Sequence, residues 1–457
     1  MKLSIVFALT LVGGVLNCNI SSSSSRGDQL TKTPRKKEIP YVIIQTEKEI
    51  VDSPKRKGTL KIMRNDSTIF QSFVGIELRG AVSQMFYEKK SYGFEIRNDK
   101  NESLASSMLN LPKNSAWILH GPYGDKTLLR NTVAYQISNN IGRYAARTAF
   151  AELEINGEYL GFYVLMEKLK QDNDRIKVAK LSKNDTTAEK ITGGYVLKID
   201  KTTGNDSDDS NYTDENSFVS HYDYKGKPSK KASTYFLYDY PKAKNINLLQ
   251  RNYIQKYMHD FEQSLLSDNF KDEKTGYRNF IDADSFVDYF ILTELFQNHD
   301  GYRLSTYLQK DRGKKLQMGP IWDIDIAFGS DNGFCDGMNR HAWVFQYNQY
   351  CSGDSWLVPF WWKRLITDTY FKEKLLMRWQ QLRKTQLSDN QLYSTVEEFN
   401  KKITDGNLVT RNFERWDILN EQIVPNSTRG SHEKEITRMK IWLKTHARWI
   451  DENIVKL

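Results

Sequence analysis

Asn298-His299-Asp300-Gly301-Tyr302-Arg303-Leu304-Ser305-Thr306-Tyr307, and then Gly319-Pro320-Ile321-Trp322-Asp323-Ile324-Asp325-Ile326-Ala327-Phe328-Gly329, are the two stretches that decide how this chain reads. Asp300 follows directly on an apolar run, with Phe286, Phe290, Leu292 and Leu295 at loosely helical spacing. Asp323 and Asp325 follow a short strand-like run, Leu316-Gln317-Met318, that emerges from a Gly/Lys turn. Three carboxylates delivered to one cleft, one from a helix–loop and two from a strand end, suit phosphoryl transfer. One orients or deprotonates a hydroxyl, and the others hold a divalent cation on phosphate oxygens. Taken singly, each Asp fits a turn or a helix cap equally well.

Upstream, the pattern is that of strands. Tyr41–Ile44, Leu60–Met63, Val74–Leu78, Ser91–Ile96 and Tyr195–Ile199 are short apolar or alternating runs between charged turns. Ala151–Ile155 and Phe162–Met166 flank Asn156-Gly157, a pair suited to a tight hairpin. Leu128–Ile141 has helical spacing and stops at Gly142. After residue 245 the period changes to about 3.6: Tyr253, Tyr257, Phe261 and Leu265 share a helix face. Further helices are expected over Tyr370–Leu387, Asn390–Ile403, Asn412–Gln422 and Glu433–Ile454. The fold class expected is therefore α+β, with a β-rich unit over 38–245, a helical unit over 246–457 and a cleft where they join. The polar stretch from Gly204 to Ser233 reads as a surface insertion.

The chain has 457 residues, with 39% hydrophobic and 12% aromatic, an ordinary globular composition. Residues 1–17 place Lys2 before an apolar run, Leu3–Leu16, which fits an export signal and is too short to span a membrane. Cys18 stands directly after that run and before a serine tract, as at a lipoprotein cleavage site, although Asn17 departs from the usual small residue. Residues 18–37 then form a lipid-anchored linker, and the mature domain works outside the cytoplasm, at the cell envelope or surface. Within this linker Arg26-Gly27-Asp28 spells an adhesion tripeptide of a kind that chance supplies. The net charge of +9 supports attraction to anionic partners such as ATP. With 57 acidic residues against 66 basic ones and no basic stripe interleaved with aromatics, nucleic acid is not an expected partner. Cys335 and Cys351, sixteen apart and without His companions at metal spacing, read as a disulfide stabilising the fold by about 3 kcal/mol.

The chain resembles the CotH (spore-coat protein H) kinase family over about residues 40–455, on segments that occur in family order. These are Leu78-Arg79-Gly80-Ala81-Val82-Ser83, Lys89-Lys90-Ser91-Tyr92 and Asp125-Lys126-Thr127-Leu128-Leu129-Arg130-Asn131. Then come Glu152-Leu153-Glu154-Ile155-Asn156-Gly157-Glu158-Tyr159-Leu160-Gly161, Met166-Glu167-Lys168 and Gly193-Gly194-Tyr195-Val196-Leu197-Lys198-Ile199-Asp200. The two opening stretches complete the set. Pro359–Leu365 and Arg411–Trp416 are similar to a surface-lipoprotein subgroup of the family.

That resemblance implies an atypical, two-lobed protein-kinase-like fold and an exported kinase using ATP with Mg²⁺ or Mn²⁺. By position, Asp300 would be the catalytic Asp, Asp323 the metal-binding Asp and Asp325 a second ligand. Lys90 would pair with phosphate, with Lys89 as the adjacent alternative on the opposite strand face. Arg79 and Ser83 would cradle phosphate around the single Gly80, where ordinary kinases have a glycine-rich run. Glu167 and Lys168 would lie at a hinge near the nucleotide, and Arg130 and Asn131 would contact phosphate or brace the cleft. Ser305 stands where ordinary kinases carry a metal-binding Asn, and His299 reads as structural. The expected activity is ATP-dependent phosphorylation of Ser or Thr in exported proteins. The alternatives are a catalytically silent kinase-like binding module and a metal-dependent hydrolase using the same three aspartates.

Overall fold

The computed structural model describes residues 31–203, 211–229, 234–329, 341–423 and 430–457. In chain order the first elements are β1 (Tyr41–Thr46), β2 (Arg56–Arg64), β3 (Ser67–Arg79), α1 (Val82–Phe86) and β4 (Ser91–Arg97). There follow β5 (Ser106–Met108), β6 (Leu111–Asn114), β7 (Ala116–His120), α2 (Arg130–Asn140), β8 (Thr148–Ile155) and β9 (Glu158–Glu167). Next are β10 (Tyr195–Ile199), β11 (Ser217–Val219), β12 (Tyr235–Tyr240), α3 (Leu248–Leu266), α4 (Ala283–Phe296), β13 (Thr306–Lys310) and β14 (Leu316–Met318). The chain ends with α5 (Tyr347–Tyr350), α6 (Trp361–Leu365), α7 (Thr369–Arg383), α8 (Asp389–Asp405), α9 (Leu408–Arg415) and α10 (His432–Asn453).

The N-terminal strands close into a barrel in the order β1-β2-β3-β4-β7-β9-β8. Neighbours are antiparallel except at the closure, where β1 runs parallel to β8 with Tyr41 opposite Glu152. Alternation builds it: Val42 and Ile44, Leu60 and Ile62, and Val74 and Ile76 are buried, while Lys57 and Thr59 point out. Asn156 (φ 52°) and Gly157 (φ 84°) supply the two left-handed residues of the β8–β9 hairpin. From Leu160 to Glu167, β9 is buried at every residue, because the barrel core covers one face and α9 packs on the other.

A second sheet has the order β11-β12-β10-β13-β14. It joins strands from before and after residue 245, so the change of period there is not a structural boundary. A sheet strand, β13, lies inside the supposed helical half, and the expected division into a β-rich and a helical part is corrected accordingly. The α helices have local reasons to start where they do. Asn247 and Gln250 form a reciprocal capping box on α3, and Asp282, Asp368, Ser388 and Ser431 cap α4, α7, α8 and α10. The helix expected from Asn412 begins four residues earlier, at Leu408, and ends at Arg415.

That shift matters, because α9 is the latch between the C-terminal part and the barrel. Arg411 Nε donates to buried Glu152 at 2.6 Å, and Trp416 Nε1 donates to Leu160 O at 2.9 Å. Asn412, fully buried, accepts from Lys89 Nζ at 2.7 Å and from Phe162 N at 3.3 Å. Asn412→Ala leaves the buried Lys89 ammonium with one acceptor fewer and should lower stability by about 2–3 kcal/mol. A reduced urea midpoint checks this; an unchanged midpoint would show that α9 does not hold Lys89 as described.

Candidate active site

The Asp323 loop is held by α2. Asp125, buried, accepts from Thr127 N, Thr127 Oγ1 and Arg130 N, and pairs with Arg130 at 2.5 Å, which fixes the first turn of the helix. One turn apart on the same face, Asn131 Oδ1 accepts from Ile324 N at 2.7 Å and Tyr135 OH accepts from Asp323 N at 3.3 Å. The Tyr135 ring also stacks on Trp322, with centroids 5.7 Å apart and planes 12° from parallel. These contacts hold Asp323 at φ 61°, a left-handed conformation unfavourable for most L-residues and best tolerated by Asn and Asp. Of the thirteen non-glycine residues with positive φ among those described, Gln297, Tyr302, Ser305, Asp323 and Phe328 fall between 297 and 328. Strain concentrates in the two stretches that carry the aspartates.

Asp300 is delivered by the end of α4. The helix stops at Gln297 (φ 46°), and Asn298 Oδ1 then accepts from Asp300 N at 3.3 Å. Inside the last turn, buried Glu294 accepts from Tyr302 OH and from the amides of Val344 and Phe345, tying the following loop to the helix. Burial pushes its carboxyl up to about 8. Asp300 Oδ1 accepts from Arg303 Nη2 at 3.0 Å, and Arg303 is itself buried.

The three aspartates share one electrostatic site. Asp323 keeps solvent-exposed surface, but the protein packed around its carboxyl raises its proton affinity, and the charges of Asp300 and Asp200 raise it further, while Lys198 and Lys201 oppose them. Asp325 is raised well above the usual carboxylate range by burial, then by Asp323, Asp125 and Asp300. Asp300 is raised by burial, with Arg303 and Lys201 pulling the other way. Ser305 Oγ donates to Asp323 Oδ2 at 3.4 Å. Among the described residues no group of three or more His, Cys, Asp or Glu side chains is drawn tightly enough to hold a metal ion. Mg²⁺, however, keeps several waters and takes one or two carboxylates with substrate phosphates, so a pair of mutually repelling carboxylates beside a hydroxyl fits that cation without a protein cage.

Other sequence-derived candidates divide. Arg79 ends β3 with its guanidinium 6.0 Å from the Trp322 ring, next to Asp323. Ser83 lies on α1, where its Oγ would be 2.1 Å from a Cβ on Gly80, so only glycine fits that left-handed turn (φ 97°). From the same helical turn, Tyr87 has its hydroxyl pKa raised by burial and by Asp325 and Asp323, which places α1 on the acidic cluster. Lys90, by contrast, donates to Gln84 O at 2.7 Å and Tyr87 O at 2.5 Å and closes the C-terminal end of α1. Lys89 is held by Phe162 O and Asn412 inside the barrel–α9 contact. Glu167 is fully buried and binds Arg147 through both oxygens, at 3.0 and 2.7 Å, with Tyr144 at 3.2 Å and Arg175 at 3.5 Å. It braces β9. The carbonyl of Lys168 accepts from Arg175 Nη1. Cys351 is in a disulfide; its expected partner Cys335, and Cys18 with the export signal, lie outside the described residues.

Lys198, which stands in the Gly193–Asp200 segment, acts with Lys201 against the raised proton affinity of Asp323. Lys198 and Asp200 form a buried ion pair, with Nζ 5.3 Å from the Tyr307 ring centroid. Burial alone would lower the proton affinity of Lys198; Asp200 and Tyr307 overcome it and raise it. The readable signal was the i, i+2 spacing, which puts both side chains on one strand face.

A family model for the CotH kinase protein matches residues 76–450. No curated protein matches the chain. Among the described residues no helix is long and apolar enough to cross a membrane.

The raised carboxyls give a signed prediction. A group whose folded-state pKa is raised contributes stability below its unfolded pKa and loses it as pH rises through the folded one. Asp325→Asn should therefore raise the melting temperature of the ligand-free protein at neutral pH, with the gain vanishing toward pH 4. Melting curves across that range check it; a gain independent of pH would sink the shared-site assignment.

Proposed function

We propose that this chain, which belongs to the CotH kinase protein family, is an exported metal-dependent protein kinase that transfers the γ-phosphoryl group of ATP to Ser or Thr of envelope or secreted proteins. The observation that carries this reading is the convergence of two strained loops. One is fastened by α2 and the other by the end of α4, so that the charge of Asp300 bears on Asp323 and the charges of both bear on Asp325. A cluster of like charges is unfavourable in the resting protein and becomes favourable with a cation and a polyphosphate. Bound Mg²⁺ or Mn²⁺ would neutralise phosphate oxygens, and Asp323, with Asp325 and Ser305, would hold it.

The chain's own groups supply the remainder. Asp300, with Oδ1 fixed by Arg303, leaves Oδ2 to take a hydrogen bond from an acceptor hydroxyl, the role of a kinase catalytic carboxylate. Its raised proton affinity moves it toward a better base at neutral pH. Lys198 is suited to exchange Asp200 for phosphate, and Arg79 stands at the Trp322 side of the cleft. The apolar N-terminal run and Cys18 support export and lipid anchoring, which would bring the domain to exported substrates. One observation favours the alternative, a catalytically silent binding module: the Lys198 ammonium is already neutralised by Asp200.

Thermal shift with ATP and Mn²⁺, followed by radiolabel transfer to a Ser-rich acidic protein, separates the two readings. Asp323→Ala should abolish the nucleotide-dependent shift, while Asp300→Ala should keep it and lower transfer by about 10²–10⁴-fold. Undiminished transfer in both variants would discard the site. Lys198→Ala should weaken ATP binding by about 10-fold or more, whereas Lys90→Ala should leave ATP affinity near that of the unmodified protein.

A further inference from the structure

We propose that Asp354 is a positioning residue for Asp300, acting through Arg303; the inference rests on the phosphotransferase reading above. Arg303 is 3% exposed, and its planar fork is held on three sides. Nε donates to His299 O at 2.7 Å, Nη2 to Asp300 Oδ1 at 3.0 Å, and Nη1 to Asp354 Oδ2 and Trp356 O, both at 3.1 Å. The Tyr347 ring covers one face of the guanidinium at 4.2 Å. A guanidinium bonded only to Asp300 would swing with that carboxylate. Anchored on its far edge by Asp354, it becomes a fixed wall.

Asp354 is equally constrained. Its Oδ2 accepts from Tyr347 OH at 2.6 Å, its Oδ1 accepts from Trp356 N at 3.0 Å, and its own amide donates to Cys351 O at 3.0 Å. Cys351 is disulfide-bonded, and its amide donates to Tyr347 O. The turn from Tyr347 to Trp356 is therefore a closed brace with one carboxylate aimed at Arg303. Its effect on Asp300 is selective. Arg303 takes Oδ1, and Oδ2 has no hydrogen-bond partner among the described residues, so one oxygen is immobilised and the other is left for an incoming hydroxyl. The same turn reaches the opposite wall: Trp356 Nε1 donates to Tyr212 OH, which donates to Asp200 O at 2.7 Å. Acceptor-side and phosphate-side groups are thus referred to one rigid element.

A positioning role predicts a loss in turnover without a matching loss in nucleotide binding, since the reacting oxygen is misplaced while the phosphate-side groups remain. With Mn²⁺-ATP and a Ser-rich acidic protein as probes, Asp354→Asn should lower kcat by on the order of 10²-fold while KM for ATP changes less than about 3-fold. Arg303→Lys keeps the charge but loses the fork, and should fall in the same way. Tyr347→Phe removes only one donor to Asp354 and should lose a few-fold. Asp354→Asn combined with Arg303→Lys should be no worse than the worse single variant, because both act on one unit. Where Asp354→Asn does not fold, Arg303→Lys and Tyr347→Phe decide. A kcat within about 2-fold of the unmodified protein, or a loss confined to KM, overturns the proposal and leaves the kinase reading standing. Absence of transfer by the unmodified protein overturns the kinase reading itself, and this inference with it.

Discussion

The grip of α2 on the backbone of residues 322–324 is the constraint on which the candidate site depends. Asp323 occupies a region of backbone space that is unfavourable by roughly 1–3 kcal/mol for a residue with a side chain. It stays there because two amides in succession have acceptors on one face of a buried helix. That helix is nearly all interior, from Arg130 to Ile137, so it has no solvent face on which to slide or rotate. Its first turn is set by Asp125, which satisfies an otherwise orphaned amide and neutralises Arg130 in the same stroke. Asp125 also adds to the negative field at Asp325, so the residue that starts the helix is part of the electrostatics of the site.

Much of this was legible from local pattern. The Asn156-Gly157 hairpin, the helix ending before Gly142 and the strand at Leu316–Met318 follow from spacing and turn chemistry, whereas the roles of Asp300, Asp323 and Asp325 came from the family resemblance. What spacing does not carry is partnership between distant segments. Closure of the barrel depends on β1 lying parallel to β8, more than a hundred residues on, and neither strand's alternation names the other. The same limit explains Lys90. Its neighbourhood was readable as a strand start, but its ammonium is claimed by the short helix α1, which the sequence did not reveal. The helix-rich half of the sequence likewise gives no hint that β13 and β14 complete a sheet begun by β10.

Two of the buried lysines, Lys89 and Lys198, show how environment separates identical chemistry. Lys89 meets two neutral oxygens and the π-face of Tyr163, and burial holds its proton affinity well below that of a free lysine. Lys198 meets Asp200 and keeps its charge. Desolvating an ammonium is costly in both places, and only the second has a full counter-charge in return. Lys89 serves as a spacer between helix and sheet; Lys198, paired with Asp200, contributes to the field at Asp323.

The way the chain enters the domain has a mechanical consequence. Residues 31–35 do not run straight into β1. Thr33 is bound to Glu414 through its amide and hydroxyl, Arg411 donates to Thr31 and to Thr33 O, and Asn407 donates to Pro34 O. Tension arriving from the N-terminal side therefore loads α9 first, and through Arg411 and Glu152 it passes into β8. The pull is shared across a helix and a barrel wall in shear, and the opening strand is spared being unzipped one hydrogen bond at a time.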